Sequence, residues 1–200
     1  MNMSIVNKSL RPAIMMVILF SIIIGLIYPG IVTAISQVIF PYQANGSLHT
    51  VNGQVIGSDL IGQEWTSPRY FHGRPSATLA NDGSKSQPYN AQNSAASNLG
   101  PTNKTLIKTV KQRTEELQKE NPGVAVPVDL VTSSGSGLDP DITPAAAYFQ
   151  IPRIANERGL TPDQVKKLVA DNTTGRFLWI FGEAHVNVLN LNIALDALKK

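Results

Sequence analysis

PAIMMVILFSIIIGLIYPGIVTAISQVIF, residues 12–40, contains no charged side chain, and the first charge after it is Asp59. A helix needs about 20 apolar residues to cross the hydrocarbon core of a bilayer. The segment therefore predicts one membrane-spanning helix over residues 12–40. Residues 41–200 are long enough for one compact domain and too short for two of ordinary size.

Charges flank this segment unevenly. Lys8 and Arg11 lie just before it, whereas the nearest charge on its other side is Asp59. Basic residues next to a span favour the cytoplasmic side of the membrane. The pattern predicts that residues 1–11 are cytoplasmic and that residues 41–200 form an extracytoplasmic domain.

The same segment also permits a second interpretation, a cleaved secretory signal peptide. It has a basic start, an apolar run over residues 13–27, and small-residue spacing at Val32 and Ala34. Against cleavage, the apolar character continues through Phe40, where a mature secreted domain usually turns polar. Both interpretations export the rest of the chain.

Composition excludes several classes of function. The chain has no cysteine, so it holds no disulfide and no thiolate metal site. Its formal net charge of +3 is small, and no lysine- or arginine-rich run occurs. We therefore expect no nucleic-acid partner.

The exported part mixes helix and strand signals without regular alternation, which predicts an α+β (irregular α/β) fold. Asn52-Gly53 between apolar residues predicts a hairpin. Helices are predicted over residues 104–120, with Asn103 as N-cap, from Thr143 to Gly159 with a kink or restart at Pro152, from Thr161 to Gly175, and over residues 188–198. Strands are predicted at PVDLV, residues 127–131, and at FLWIF, residues 177–181, the latter buried.

A long segment, residues 66–102, is rich in Ser, Asn, Gly and Pro. Loops of that length inside compact domains are uncommon, and they are usually functional or disordered. The aromatic residues Tyr70, Phe71 and Tyr89 favour an ordered loop. Arg69 and Arg74 either order the loop or meet a carboxylate of a partner, and ordering is favoured because arginine commonly bridges irregular segments.

The segment VTSSGSGLDP, residues 131–140, has the glycines and serines of a phosphate-binding loop. A Walker loop, however, needs a lysine and then Ser or Thr after its second glycine, and here Leu138-Asp139 follow Gly137. A likeness to the signature loop of ABC-type ATPases extends to two residues. The other interpretation is a tight structural loop, in which the glycines permit the path and the serines bond the backbone.

We found no combination of residues that predicts a catalytic or metal site. His49, His72 and His185 are isolated in the sequence. No Gly-x-Ser-x-Gly nucleophile motif occurs. Glu115-Glu116 lie on a predicted solvated helix face.

Several segments, taken in order, resemble one known family. They are LRPAIMMVILF, LIYPGIVTAI, FPYQANGSL, GSDLIGQ, YFHGRPSAT, SNLGPTN, PVDLVTSSGSGLDPDITPAAA, QIPRIANERGL and VNVLNLNIAL. Together they look like the C subunit of the Kdp potassium-transporting ATPase, and the resemblance extends from Leu10 to Leu198.

The resemblance implies a single-pass accessory subunit in the bacterial inner membrane. Its implied partners are a channel-like potassium-binding subunit and a P-type ATPase subunit. The chain would have no cofactor of its own, because the complex handles ATP and potassium. The family is described as a catalytic chaperone that raises the ATP affinity of the ATPase subunit, besides assisting assembly and coupling.

The resemblance also implies a nucleotide contact at the serine-glycine loop, which comprises Ser133, Ser134, Gly135, Ser136 and Gly137. This implication conflicts with the predicted topology, because ATP is cytoplasmic and the loop would lie across a bilayer about 30 Å thick. Coupling or assembly is therefore favoured over direct ATP binding. The remaining alternative is a membrane-anchored exported binding module or enzyme that acts alone.

Partner contacts are predicted on the two irregular segments. Between Lys119 and Arg153 every charged residue is acidic. These carboxylates either form a solvated face at the start of the helix at Pro144 or attract cations near the potassium-conducting subunit. The predicted partner-contact residues are Tyr70, Phe71, His72, Arg74, Asp139 and Asp141.

Overall fold

The structure is a computed structural model that describes residues 3–198. It contains helices and small antiparallel sheets together with one apolar N-terminal helix, which confirms the predicted fold class. The described chain divides into two compact units between Leu48 and His49. The predicted division into a cytoplasmic segment (residues 1–11), a membrane helix (residues 12–40) and an extracytoplasmic domain (residues 41–200) stays a prediction.

The N-terminal unit is one continuous helical rod with a short helix after it. Helix α1 (Met3–Ile22) passes through a π-helical turn (Ile23–Ile27) into α2 (Tyr28–Ile39), and α3 (Pro41–Ala44) follows. The part Ser9–Ile39 has a mean hydropathy of 2.5 and is long and apolar enough to cross a membrane. The wider turn precedes Pro29, which lacks an N–H and whose ring would clash with the carbonyl four residues earlier.

The predicted hairpin is confirmed. Strand β1 (Leu48–Val51) pairs with β2 (Gln54–Ser58). The two connecting residues have positive φ, 51° at Asn52 and 79° at Gly53. A two-residue turn of this kind matches the natural twist of the strands, and Asn-Gly is the pair best suited to it.

Four helices of the second unit begin at side-chain caps. They are α4 (Lys104–Glu120), α5 (Pro144–Arg158), α6 (Pro162–Asp171) and α7 (Val188–Ala197). Their N-cap residues Asn103, Thr143, Thr161 and Asn187 each accept a hydrogen bond from a backbone N–H of the first turn. Gly159 ends α5 with a φ of +66°, as predicted, and the helix continues through Pro152 without restarting.

A small sheet lies beside these helices. Strands β3 (Asp141–Ile142) and β4 (Thr173–Thr174) both pair antiparallel with β5 (His185–Asn187), so that β5 is central. The core joins this sheet to α5, α6 and α7. Its fully buried side chains include Ile154, Val165, Val169, Val186, Leu191 and Leu195.

Two predicted strands are wrong. PVDLV contains a 3₁₀ helix, Val128–Leu130. The backbone turns there, and the Asp129 carboxylate accepts hydrogen bonds from the backbone N–H (2.7 Å) and hydroxyl (3.2 Å) of Thr143, the N-cap of α5. FLWIF is neither buried nor a strand, because residues 177–181 form an exposed reverse turn.

Candidate functional site

The serine-glycine loop, residues 133–137, is bonded to its own side chains. The Ser134 hydroxyl accepts from the backbone N–H of Gly137 at 2.9 Å, and the Ser136 hydroxyl accepts from that of Leu138 at 3.1 Å. Ser134 is buried. Two amides that a phosphate would need as donors are therefore already used within the loop.

The long loop wraps around the serine-glycine loop. The Ser76 hydroxyl donates to the carbonyl of Gly137 at 2.7 Å. The carbonyl of Ser136 accepts from the Ser94 hydroxyl and from the Ala95 N–H, both at 3.0 Å. These bonds are those of a tight structural loop, and they hold Ser76, Ser94 and Ala95 of the long loop against it.

The two glycines of the loop are not equivalent. Gly137 has a φ of +69°, and a Cβ atom there would lie 2.6 Å from Cγ2 of Thr78 and 2.7 Å from the carbonyl oxygen of Ala95. A Cβ at Gly135 would meet no atom within 4 Å. Gly137 is thus required by packing, whereas Gly135 is exposed. The residues fit a nucleotide poorly, and the nucleotide contact stays a prediction.

Arg74 links the long loop to the acidic segment. Its guanidinium lies 3.1 Å from a carboxylate oxygen of Asp139 and donates to the carbonyl of Ser133 at 3.3 Å. The ordering role predicted for Arg74 is confirmed. The pair is about one quarter exposed, 26% and 29%, so solvent partly screens the interaction.

Asp141 lies next to Asp139 at the start of the small sheet. Its backbone N–H donates to the Asp139 carboxylate at 3.1 Å, and its own carboxylate accepts from the amide of Asn187 at 3.1 Å. Burial raises the pKa of Asp141, and nearby His185 opposes the shift. The two aspartates line a cavity of about 240 Å³ together with Arg74, Asp129, Glu183 and His185.

The backbone of residues 71–72 is held by two amide side chains. Asn192 accepts from the N–H of Phe71 at 2.9 Å and donates to its carbonyl at 3.0 Å. Gln150 does the same for His72, at 2.8 and 3.1 Å. Each side chain thus replaces the neighbouring strand that this extended segment lacks.

Two arginines of α5 hold the backbone of residues 69 and 70, which precede this segment. Arg158 donates to the carbonyl of Arg69 at 2.8 Å, forms an ion pair with Asp196 at 2.7 Å and lies 4.7 Å from the centre of the Tyr70 ring. The Tyr70 hydroxyl donates to Asp196 at 3.0 Å, and Arg153 donates to the carbonyl of Tyr70 at 3.0 Å.

The structure separates the predicted partner-contact residues into two groups. Arg74, Asp139 and Asp141 lie together beside the serine-glycine loop. Tyr70, Phe71 and His72 lie against α5 and α7, and the Phe71 side chain has no exposed surface. Partner contact by these six residues stays a prediction.

A cleft with a volume of about 480 Å³ lies beside His72. Burial lowers the pKa of His72, and the charge of Arg153 lowers it further, so both favour the neutral imidazole. The ionisable groups that line the cleft with His72 are Glu64, Glu116, Glu120, Arg113 and Arg153. Acidic and basic groups are mixed, and the arrangement does not define an anion site.

The most exposed apolar feature of the second unit was missed by the sequence patterns. We call residues 177–181 the apolar loop. The exposed fractions of its five side chains are 71% for Phe177, 58% for Leu178, 89% for Trp179, 73% for Ile180 and 61% for Phe181. Their apolar composition predicted that these side chains are buried, but in this fold they are exposed to solvent.

Fold and site together define a class, an α+β domain that follows an N-terminal apolar helix long enough to cross a membrane. The comparisons with known proteins specify the family. A family model described as the K+-transporting ATPase c chain, KdpC, matches residues 10–197. The chain therefore belongs to the KdpC family.

Relatives named as potassium-transporting ATPase KdpC subunits span nearly the whole chain. One from Rhodopseudomonas palustris (strain BisB18) is 56% identical over 197 residues, covering 96% of this chain and 99% of the relative. One from Bradyrhizobium diazoefficiens is 55% identical and covers 94% and 96%. One from Methylobacterium nodulans is 53% identical and covers 96% and 98%.

Proposed function

We propose that this chain is a non-catalytic accessory subunit of an ATP-driven potassium import complex, and that it works through protein contacts. Its partners are the channel-like potassium-binding subunit and the P-type ATPase subunit. It assists their assembly and coupling, while ATP and potassium are bound by them. The observation that carries this proposal is the serine-glycine loop, whose Gly137 and Leu138 amides are bonded by its own serines.

The rise in ATP affinity that the family resemblance implies is then an indirect effect. A domain outside the membrane alters the ATPase subunit by favouring one conformation of the complex. Such coupling needs only different contact energies in two states, and it needs no shared ligand. Partner contact through the exposed parts of Tyr70, His72, Arg74, Asp139 and Asp141 is part of this proposal.

Membership in a complex is tested by purification. The chain, tagged at its C-terminus and extracted from membranes in mild detergent, should carry a multi-span potassium-transport protein and a P-type ATPase in a constant ratio. An unrelated single-span protein with the same tag controls for detergent carry-over. Recovery of the chain alone would instead favour an independent exported module or enzyme.

The proposed topology places the bacterial inner membrane at the N-terminal helix, residues 1–11 in the cytoplasm and the domain outside. Because the chain has no native cysteine, Ser84→Cys supplies a single thiol at an exposed position of the domain. It should react with an impermeant thiol reagent once the outer membrane is permeabilised, whereas Ser4→Cys should not. The opposite labelling pattern would invert the topology.

A further inference from the structure

The apolar loop is closed by backbone hydrogen bonds at its base. The backbone N–H of Phe177 donates to the carbonyl of Phe181 at 2.8 Å, and the reverse bond is 2.9 Å. Below it, one guanidinium nitrogen of Arg176 contacts both carboxylate oxygens of Glu183 at 2.8 and 2.6 Å. Strands β4 and β5 pair at the base. The loop is therefore a defined hairpin tip.

The tip contains local strain. Leu178 and Trp179 have φ of 51° and 60°, a left-handed conformation that costs roughly 1–2 kcal/mol per non-glycine residue. Asn and Gly adopt it far more easily, as Asn52-Gly53 do in the other hairpin of this chain. The tip instead presents large apolar side chains to water.

The pattern of exposure indicates what covers the tip. A hairpin that faces one protein surface alternates apolar and polar residues, because neighbouring side chains point to opposite faces. Here five consecutive apolar residues are all exposed, with no polar residue between them. Such a tip suits a medium that is apolar on all sides, and tryptophan and phenylalanine are well suited to the bilayer interface.

The link between the apolar helix and the domain is short. Nine residues, 40–48, connect the end of the apolar helix at Ile39 to His49. Their extended length is at most about 30 Å, so the domain is tethered at a membrane surface. We propose that the apolar loop inserts into the interfacial region of the bilayer that anchors the chain. Of the properties proposed above, this insertion requires only the membrane anchor. If the loop does not insert, the proposed subunit function is unaffected.

Tryptophan fluorescence tests the insertion directly, because the chain has two tryptophans, Trp65 and Trp179. The full chain with Trp65→Phe is reconstituted into vesicles of equal parts phosphatidylethanolamine and phosphatidylglycerol, with and without lipid brominated near the head group. Trp179 emission should shift to shorter wavelength and be quenched by the brominated lipid. The matched control Trp179→Phe, which retains the partly buried Trp65, should show neither change.

Two results would overturn the proposal. In one, Trp179 emits as in water and remains open to aqueous iodide in the vesicles. In the other, it is shielded only when the other subunits of the complex are reconstituted as well, which would place the loop on protein. If Trp65→Phe fails to fold, the difference between wild-type and Trp179→Phe emission supplies the same measurement.

Discussion

Replacing Asn192 with leucine should lower the free energy of unfolding by about 2–6 kcal/mol, because it leaves two buried backbone groups without partners at roughly 1–3 kcal/mol each. Asn192 has no exposed surface and is the hydrogen-bond partner of both the N–H and the carbonyl of Phe71. Leucine has a similar volume, so the effect reports the lost bonds. Urea unfolding in detergent, followed by tryptophan fluorescence, measures it.

Asn156→Leu is the matched control, since Asn156 is exposed on α5. It should change the unfolding free energy by no more than about 0.5 kcal/mol. If Asn192→Leu unfolds at the same urea concentration as this control, residues 71–72 are not held in the way the structure shows.

Replacing Gly137 with alanine should have the next largest effect. Left-handed strain contributes roughly 1–2 kcal/mol and overpacking against Thr78 and Ala95 roughly 1–3 kcal/mol, for a total of about 2–5 kcal/mol. The same urea titration measures it. The loss of stability should not depend on added ATP, because the position is occupied by the long loop.

Gly135→Ala is a control within the same loop. Its new methyl group enters open space at a position without positive φ, so stability should change by no more than about 0.5 kcal/mol. Equal destabilisation by the two variants would contradict the packing argument. Specific stabilisation of the wild type by ATP, lost in both variants, would support a nucleotide site.

Local chemistry made several elements predictable. The apolar segment over residues 12–40 predicted the N-terminal helix by length and composition alone. Caps at Asn103, Thr143 and Thr161 act on the first turn of the helix that follows, and Asn52-Gly53 determines its own turn. In each case the stabilising contact lies within a few residues in sequence, so the pattern carries the information.

Other elements depend on contacts that sequence patterns do not encode. Asn192 and Phe71 are 121 residues apart, and only the folded chain brings them together. PVDLV reads as a strand by composition, but Asp129 binds Thr143, the N-cap of α5, which lies 14 residues later. FLWIF has no alternation that would distinguish a buried run from an exposed one, and its apolar content alone predicted burial wrongly.

The serine-glycine loop was likewise predictable only in part from the sequence. The missing lysine and the wrong residues after Gly137 argued against a phosphate loop from sequence alone. Which amides the serines bond, and that Ser76, Ser94 and Ala95 secure the loop, required the path of residues 66–102. Arg74 was predicted to order that path, but its pairing with Asp139, 65 residues away, was not predictable.

Photolabelling of the assembled complex with an azido-ATP analogue tests most directly whether this chain acts without contacting ATP. Trypsin should release the serine-glycine loop in one peptide, residues 120–153, since no lysine or arginine lies between Lys119 and Arg153. Mass spectrometry should find the label on the P-type ATPase subunit and none on that peptide. Label within residues 131–140 that excess ATP prevents would contradict the account.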